Sequence, residues 1–196
     1  MAALAPIILP ERADSADARK LIAELEPRYP QASRHGYSVE MLLREAVAFF
    51  VTRHGGMPAG CGGVQFFGTD YGEIKRMYVR PGFRGQGLGR LMLNHLAAHV
   101  RQNGVALLRL ETGIYQSEAI GLYERFGFRR TAPFGAYRDD PLSAFYGISI
   151  ARRRSGARSH ARSVLRMVAW SSRRSLRIDA ALRKIEHVMR FFSARS

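Results

Sequence analysis

The chain has 196 residues, of which 46% are apolar, and it carries a formal net charge of +15. This length and composition suit one globular domain with a core of its own, and we do not expect two full domains. No apolar stretch approaches the roughly 20 residues that a membrane-spanning helix needs, and the opening MAALAPIILP lacks the features of a secretion signal. We therefore expect a cytoplasmic protein.

The positive charge is concentrated at the C-terminal end. Residues 151–196 hold 13 of the 31 Lys and Arg residues but only Asp179 and Glu186 as acids, whereas residues 1–150 have a net charge of only +4. A strongly basic segment favours contact with polyanions, and a mildly basic body does not. Contact with nucleic acid or an anionic membrane is therefore expected, if anywhere, at residues 151–196.

The cysteine and histidine residues do not predict a metal site. Cys61 is the single cysteine, so it cannot form an internal disulfide, and we interpret it as a buried structural thiol. His95 and His99 lie one helical turn apart, and we expect both on the exposed outer face of their helix. Because no Cys or His residues have metal-ligand spacing, we expect no metal.

The N-terminal part predicts a strand, two helices and a hairpin. APIIL is a short strand, residues 14–28 form a helix with Asp14 or Ser15 as its cap, and residues 38–46 form a second helix. The segments VAFFVTR and GCGGVQFF are strands joined by the turn-rich HGGMPAG. They are predicted to pair as a hairpin.

The central part predicts a strand, a glycine-rich loop and a helix. The strand GEIKRMYV, residues 72–79, would carry Glu73, Lys75 and Met77 on one face, because side chains alternate along a strand. After the loop, apolar residues recur at helical spacing until Asn103 and Gly104 end the helix. These apolar residues are Leu88, Leu91, Met92, Leu96 and Val100.

The last predicted elements complete a mixed sheet. VALLRL reads as a buried strand, SEAIGLYERF as a helix ended by Gly127, and FRR and LSAFYGISI as two further strands. The resulting order is β-α-α-β-β-β-α-β-α-β-β. We therefore predict an α/β fold, a mixed α+β sheet with helices on its faces.

The loop before the central helix, RGQGLG, predicts an anion site. Glycines at a strand-to-helix junction leave the first helix amides unpaired at the positive end of the helix dipole. The loop lacks the Gly-Lys-Ser/Thr ending of a Walker loop, and Arg90 stands where a dinucleotide-binding fingerprint needs its third glycine. The spacing that does fit is R-x-x-G-x-G.

With this loop the chain resembles the GNAT family of acetyl-coenzyme A-dependent N-acetyltransferases. A second family element, N-x-x-A-x-x-L-Y-x-x-x-G-F, is matched about thirty residues downstream by QSEAIGLYERFGF, with Gln116 in place of asparagine. The resemblance covers about residues 5–150 and implies the GNAT acyl-CoA N-acyltransferase fold. We therefore predict a GNAT N-acetyltransferase domain at residues 1–150 and a basic extension at residues 151–196.

The resemblance also implies which residues contact acetyl-coenzyme A. The loop would hold the pyrophosphate, the backbone N–H of Met77 would polarise the thioester carbonyl, and Tyr78 and Val79 would run beside the pantetheine arm. Gln116 would contact the cofactor through its side-chain amide. The loop residues concerned are Arg84, Gly85, Gln86, Gly87, Leu88, Gly89 and Arg90.

Two side chains are candidates for proton transfer. Glu73 lies 11 residues before Arg84, the interval at which the histone-acetylating branch of the family places its glutamate base. Since Glu73 and Met77 are four strand positions apart, about 13 Å, we expect water to relay the proton. An ion pair of Glu73 with Lys75 or Arg76 is the alternative. Tyr123 is the predicted general acid, because a phenol of pKa about 10 can protonate a thiolate leaving group.

The acceptor is less defined than the donor. The resemblance places the acceptor groove between the first two helices and the loop before the last strand. Arg28, Arg34 and His35 would favour a carboxylate there, whereas Asp139 and Asp140 would favour a cation. We predict acetyl transfer to a primary amine of a small molecule, with a protein amine as the less favoured acceptor and a non-catalytic acyl-CoA-binding sensor or scaffold as the alternative.

The basic extension leaves three interpretations open. It can be a disordered segment, a basic helix that binds anionic lipid or nucleic acid, or a helix that docks on a partner subunit. Its end, LRIDAALRKIEHVMRFF, places several apolar residues on one side of a helix. A homodimer is also left open.

Overall fold

A computed structural model describes residues 5–26 and 38–151. Most of residues 151–196 and of the predicted acceptor-groove segment with Arg28, Arg34 and His35 lie outside these ranges. In chain order the elements are β1 Ile7–Pro10, α1 Ala16–Leu25, α2 Val39–Arg44, β2 Ala48–His54, β3 Met57–Phe67, β4 Tyr71–Val79, α3 Leu88–Gln102, β5 Leu107–Gly113, α4 Ser117–Phe126, β6 Arg129–Arg130 and β7 Ser143–Ser149. A single 3₁₀ turn, Pro81–Phe83, stands between β4 and α3.

The seven described strands form one sheet in the order β1-β2-β3-β4-β5-β7-β6. All neighbours are antiparallel except β4 and β5, which are parallel. The predicted element order and mixed-sheet fold class are thus confirmed. A serine caps the N-terminus of each of the first two helices. The hydroxyl of Ser15 accepts a hydrogen bond from the amide of Ala18, and that of Ser38 from the amide of Met41, both at 3.2 Å.

Helices cover both faces of the sheet, and each face has an apolar core. One core packs α3 and α4 against the sheet and contains Met92, Leu96 and Tyr123. The other packs α1 and α2 against the opposite face and contains Leu21 and Leu42. We refer to these as the α3 face and the α1 face.

Cys61 is fully buried on the α1 face. Burial raises the pKa of its thiol to about 12, so the thiolate is scarce at neutral pH. The prediction of a buried structural thiol is confirmed.

The prediction that His95 and His99 are exposed is wrong. Both are half-buried, and both meet the ring of Phe50 edge-on, with centroid distances of 4.5 and 5.1 Å. They flank the buried Leu96 and Val100 on α3, so they stand at the edge of the apolar stripe where β2 covers them. Helical spacing alone does not separate this border from the solvent-exposed face.

A β-bulge in β4 decides which side chains share a face. Cys61 pairs with Tyr78 and Gly63 with Lys75, so Arg76 and Met77 together lie opposite the single residue Gly62. Arg76 takes a left-handed φ of 51° at this point. Ile74 and Met77 consequently both pack on the α3 face, although they are three positions apart. The expectation that Glu73 and Met77 share a face is wrong, because strict alternation stops at the bulge.

Candidate active site

The loop between β4 and α3 needs glycine for its backbone shape. Gly85 and Gly87 have φ values of 73° and 78°, in the left-handed region that glycine adopts without steric cost. A β-carbon at either position would meet no atom within 4 Å, so the space beside the loop is open. The loop therefore presents its backbone to a cavity.

Gly89 differs from the other two loop glycines because it allows close packing between two helices. A β-carbon on Gly89 would lie 2.8 Å from Cδ2 of Leu122 in α4. Glycine lets α3 and α4 approach this closely without a shift of the Leu122 side chain, which a larger residue at position 89 would require. The contact brings the N-terminus of α3 and the residues of α4 to the same cavity.

The first amides of α3 are available to an anion. Gly87 is the cap of this 15-residue helix, and its carbonyl accepts the first helical hydrogen bond, from the amide of Leu91 at 3.0 Å. The amides of Leu88, Gly89 and Arg90 precede that bond and have no carbonyl one turn earlier in the helix. No acidic residue stands in the first turn. The helix dipole therefore favours a negative group here.

A cavity of about 690 Å³ begins at this loop. It lies where β4 and β5 diverge: in the described sheet these strands pair only at Gly72–Leu108 and Glu73–Arg109. The predicted cofactor residues that line it are Met77, Tyr78, Val79, Arg84, Gly85, Gly87, Leu88, Gly89, Arg90, Gln116 and Tyr123. Gln86 is not among the lining residues, because its side-chain amide turns back to the carbonyl of Gly82 at 3.4 Å.

Arg84 lines the cavity and has two partners beside it. Its Nε donates to the carbonyl of Val79 at 3.1 Å, and its Nη1 forms an ion pair with Glu118 in the first turn of α4. Glu118 also lines the cavity and was not predicted from the sequence. The loop arginine is thus held at the cavity by a carboxylate.

Gln116 places an unpaired donor in the cavity wall. Its Oε1 lies 3.5 Å from the hydroxyl of Thr112, and its buried Nε2 has no hydrogen-bond partner in the structure. Buried amide groups without a partner are uncommon, because they lose hydrogen bonds to water without replacement. A buried donor of this kind suits a ligand carbonyl, and the contact of Gln116 with the cofactor stays a prediction.

Tyr123 lies on the inner wall of the cavity. Its side chain is 7% exposed and packs edge-on against Phe128, with ring centroids 5.8 Å apart. The turn of α4 that carries it is the one that Gly89 allows to approach α3.

Glu73 stands apart from this cavity. It is 2% exposed on the face opposite Met77, and within the described ranges it is not one of the cavity-lining residues. Its Oε1 accepts hydrogen bonds from Lys75 Nζ at 2.6 Å and from the hydroxyl of Tyr137 at 2.7 Å. Burial lowers the pKa of Lys75, and the adjacent Glu73 partly offsets that effect. The alternative of an ion pair with Lys75 is therefore present in the fold, and Tyr137 is a partner that sequence reasoning missed.

The family of this chain follows from how much of its sequence one family model matches. The model of the acetyltransferase (GNAT) family matches residues 15–128, more than half of the chain. The chain belongs to the GNAT family.

Individual relatives agree with this assignment. An IAA acetyltransferase from Azospirillum brasilense is 40% identical over 131 residues, covering 64% of this chain and 86% of the relative. The crystal structure of a Klebsiella pneumoniae protein assigned to the acyl-CoA N-acyltransferases is 34% identical, with a TM-score of 0.65, and covers 74% of this chain and 97% of that one. A GNAT family acetyltransferase from Elizabethkingia anophelis with acetyl-CoA bound shares the fold at 17% identity and a TM-score of 0.58, over 74% and 97% of the two chains.

This GNAT protein is an N-acetyltransferase, an acyltransferase of a family that uses acetyl-CoA. The residues of the cavity fit that cosubstrate: the open left-handed glycines and the α3 amides suit a diphosphate, and the unpaired Gln116 amide suits a carbonyl. Among the described residues, no group of three or more His, Cys, Asp or Glu side chains is placed to hold a metal ion. In the same part of the chain, no helix has the length and apolar character needed to cross a membrane.

Proposed function

We propose that this enzyme transfers the acetyl group of acetyl-CoA to a primary amine of a small molecule, by direct attack in a ternary complex. The observation that carries the proposal is the single cavity in which the α3 amides, the end of β4 and Tyr123 meet. A donor held there would have its diphosphate at one end and its sulfur near a phenol at the other. Acetyl-CoA supplies an activated thioester carbonyl.

The backbone and Gln116 would hold the donor in place. The amides of Leu88, Gly89 and Arg90 would bind the diphosphate, with Arg84 adding a charge-assisted hydrogen bond. The buried amide of Gln116 would donate to a carbonyl of the pantetheine arm. The side chain of Gln86 would not contact the donor, because it is directed back into its own loop.

The end of β4 would orient the reacting carbonyl. Because β5 diverges beyond Glu73, the β5 side of Met77, Tyr78 and Val79 borders the cavity instead of a neighbouring strand. The Met77 N–H would polarise the thioester carbonyl, as an oxyanion hole does. Tyr123 would then protonate the departing thiolate.

A small acceptor is favoured by how deeply the proton acceptor is buried. Glu73 is 2% exposed and lies beneath the loop of residues 131–142, which contributes Tyr137. A narrow group such as an unhindered primary amine suits that depth.

The proposal is tested by binding and turnover measured on the same preparation. We expect acetyl-CoA to bind at one site per chain in calorimetry, and free thiol to be released only when amines from a panel of small molecules are added. Acetyl-CoA binding with no thiol release on any amine would contradict acetyl transfer and favour a sensor or scaffold. Thiol release on peptides alone would contradict a small-molecule acceptor.

We also assign the activity to residues 1–150. All the site residues named above fall in this range, so a chain that ends at Ala151 should keep both acetyl-CoA binding and turnover. Loss of binding in a truncated chain that still folds would show that the basic extension contributes to the site.

A further inference from the structure

The cavity beside α3 contains one arginine that the proposed diphosphate site does not account for. Its lining includes three arginines, Arg84, Arg90 and Arg125, and one acidic residue, Glu118. Arg84 is paired with Glu118, and Arg90 lies in the first turn of α3, beside the amides that would bind the diphosphate. Arg125 lies in the last turn of α4, so its charge needs a separate explanation.

Arg125 has no acidic partner in the part of the chain that the structure describes. Within residues 5–26 and 38–151, its side chain takes part in no ion pair and no side-chain hydrogen bond. The residue is exposed at the cavity. An arginine in this condition can offer its charge and its N–H donors to an anionic ligand.

The side chain of Arg125 runs back along α4 and lies on Gly121, one turn earlier. A β-carbon at Gly121 would meet the guanidinium first, with Nη1 at 2.9 Å and Cζ and Nη2 at 3.6 Å. Side chains on a helix lean toward its N-terminus, so an arginine can reach the residue four positions before it. The guanidinium is therefore located over the middle of α4.

Gly121 makes room for this guanidinium. Glycine in the interior of a helix is destabilising relative to alanine, because it loses more backbone freedom on folding. The three atoms nearest to an added β-carbon all belong to the guanidinium, so Arg125 occupies the space that the missing side chain leaves. A glycine that is unfavourable for the helix thus allows the arginine to lie flat on it.

The guanidinium also lies next to the point where α4 meets the phosphate-binding helix. Leu122 follows Gly121 in the chain, and Gly89 of α3 packs against it, since a β-carbon on Gly89 would lie 2.8 Å from Leu122 Cδ2. The first amides of α3 and the guanidinium of Arg125 therefore border the same turn of α4. A molecule with its diphosphate on α3 could bring a second phosphate to Arg125.

Coenzyme A carries a second phosphate of this kind. Besides its diphosphate it has a phosphomonoester on the 3′-oxygen of the ribose, and the sugar separates the two groups. The second pKa of a phosphomonoester is about 6, so the group carries close to two negative charges at pH 7. The planar guanidinium of arginine can bind two phosphate oxygens through parallel N–H donors.

We propose that Arg125, lying on Gly121, binds the 3′-phosphate of coenzyme A and makes the enzyme select donors that carry this group. This inference rests on the proposed function, because it assigns a residue to the donor of the same acetyl transfer. Acetyl-dephospho-CoA has the same thioester and diphosphate but lacks the 3′-phosphate. It would therefore bind more weakly than acetyl-CoA.

The experiment compares coenzyme A with 3′-dephospho-coenzyme A as ligands of the full chain, in calorimetric titrations at low salt. We expect the wild type to bind coenzyme A about five- to tenfold more tightly, because the exposed guanidinium gains a charge-assisted contact only with the phosphomonoester. Arg125→Gln should weaken coenzyme A binding by that factor and leave the affinity for dephospho-coenzyme A unchanged. High salt should reduce the preference of the wild type.

Gly121→Ala tests the position of the guanidinium without removing its charge. The new β-carbon would displace the end of a flexible side chain, so coenzyme A affinity should fall selectively although alanine favours the helix. The double variant Gly121→Ala/Arg125→Gln should bind coenzyme A no more weakly than Arg125→Gln, because both changes act on one contact.

Arg101→Gln is the matched control. Arg101 is an exposed arginine in the last turn of α3, as Arg125 is in the last turn of α4, and it lies at the end of its helix away from the cavity. The change removes the same charge from the chain. The preference for coenzyme A should stay at the wild-type level.

The outcomes separate the phosphate contact from the function. Equal affinities of the wild type for both ligands, or equal losses for both in Arg125→Gln, would overturn the inference and leave acetyl transfer standing. Full coenzyme A affinity in Gly121→Ala would overturn the part assigned to Gly121. A wild type that binds neither ligand would overturn the proposed function and the inference with it.

Discussion

The imidazole of His95 packs edge-on against the ring of Phe50, with 4.5 Å between the ring centroids. Burial lowers the pKa of His95, and the neighbouring His99 lowers it further; burial also lowers the pKa of His99. The folded chain therefore prefers both rings neutral. The stability that they contribute is present above about pH 6.5, the ordinary histidine pKa, and is lost as the pH falls below it.

We expect the free energy of unfolding to fall between pH 7.5 and 5.5, and part of this fall to disappear in a His95→Gln/His99→Gln variant. Urea denaturation at the two pH values measures it. Carboxylates contribute equally to the wild type and the variant. The difference between their losses of unfolding free energy from pH 7.5 to 5.5 therefore reports the two histidines. An identical fall in both proteins would contradict the assignment.

The left-handed backbone of Gly87 gives a second prediction. Gly87→Ala should lower the free energy of unfolding by about 1–2 kcal/mol, because an alanine in this conformation is strained. It should also weaken acetyl-CoA binding, since Gly87 caps the helix whose amides would face the diphosphate. Calorimetric titration measures the affinity.

Gly68→Ala is the matched control for this change. Gly68 has a φ of 57°, lies in the turn between β3 and β4, and also has no atom within 4 Å of an added β-carbon. It should lose a similar amount of stability without losing affinity. If both variants lost the same affinity, the weaker binding of Gly87→Ala would come from its lower stability and not from a changed phosphate site.

Much of the fold could be predicted because local patterns agree with the tertiary structure. The periodicity of Leu88, Met92 and Leu96, the cap at Asp14 or Ser15 and the stop at Asn103 marked the same helices that the structure has, with Ser15 as the observed cap. The loop glycines were recognisable since their spacing expresses a backbone requirement. Such features depend on neighbours within a few residues, which a sequence shows directly.

The parts that sequence missed depend on distant or strained positions. Nothing at Arg76 signals a left-handed residue, so the bulge that separates Glu73 from Met77 was not foreseen. Tyr137 contacts Glu73 across 64 positions, through a loop shaped by aromatic packing. Alternation and helical spacing carry no information about contacts of that kind.

Tyr123 gives a third prediction. Tyr123→Phe should lower kcat by about tenfold or more, because the thiolate would leave without a proton donor, while acetyl-CoA affinity changes little. Stopped-flow and steady-state thiol release measure the turnover, and calorimetry measures the affinity. The variant keeps the ring that packs on Phe128, and a thermal unfolding curve checks that it still folds. Unchanged turnover would remove Tyr123 from the mechanism.

The ion pair of Arg84 and Glu118 gives the last prediction, which concerns affinity. Both residues line the cavity, so an incoming diphosphate meets a guanidinium already shared with a carboxylate. Glu118→Gln should tighten coenzyme A binding several-fold, because it removes a negative charge beside the phosphates and frees Arg84 to bind them. Arg84→Gln should weaken binding and reduce its salt dependence, since fewer charges then act on the anion. Dissociation constants at low and high salt test both changes. Weaker binding in Glu118→Gln would instead mean that the carboxylate is needed to hold Arg84 in the orientation that meets the phosphates.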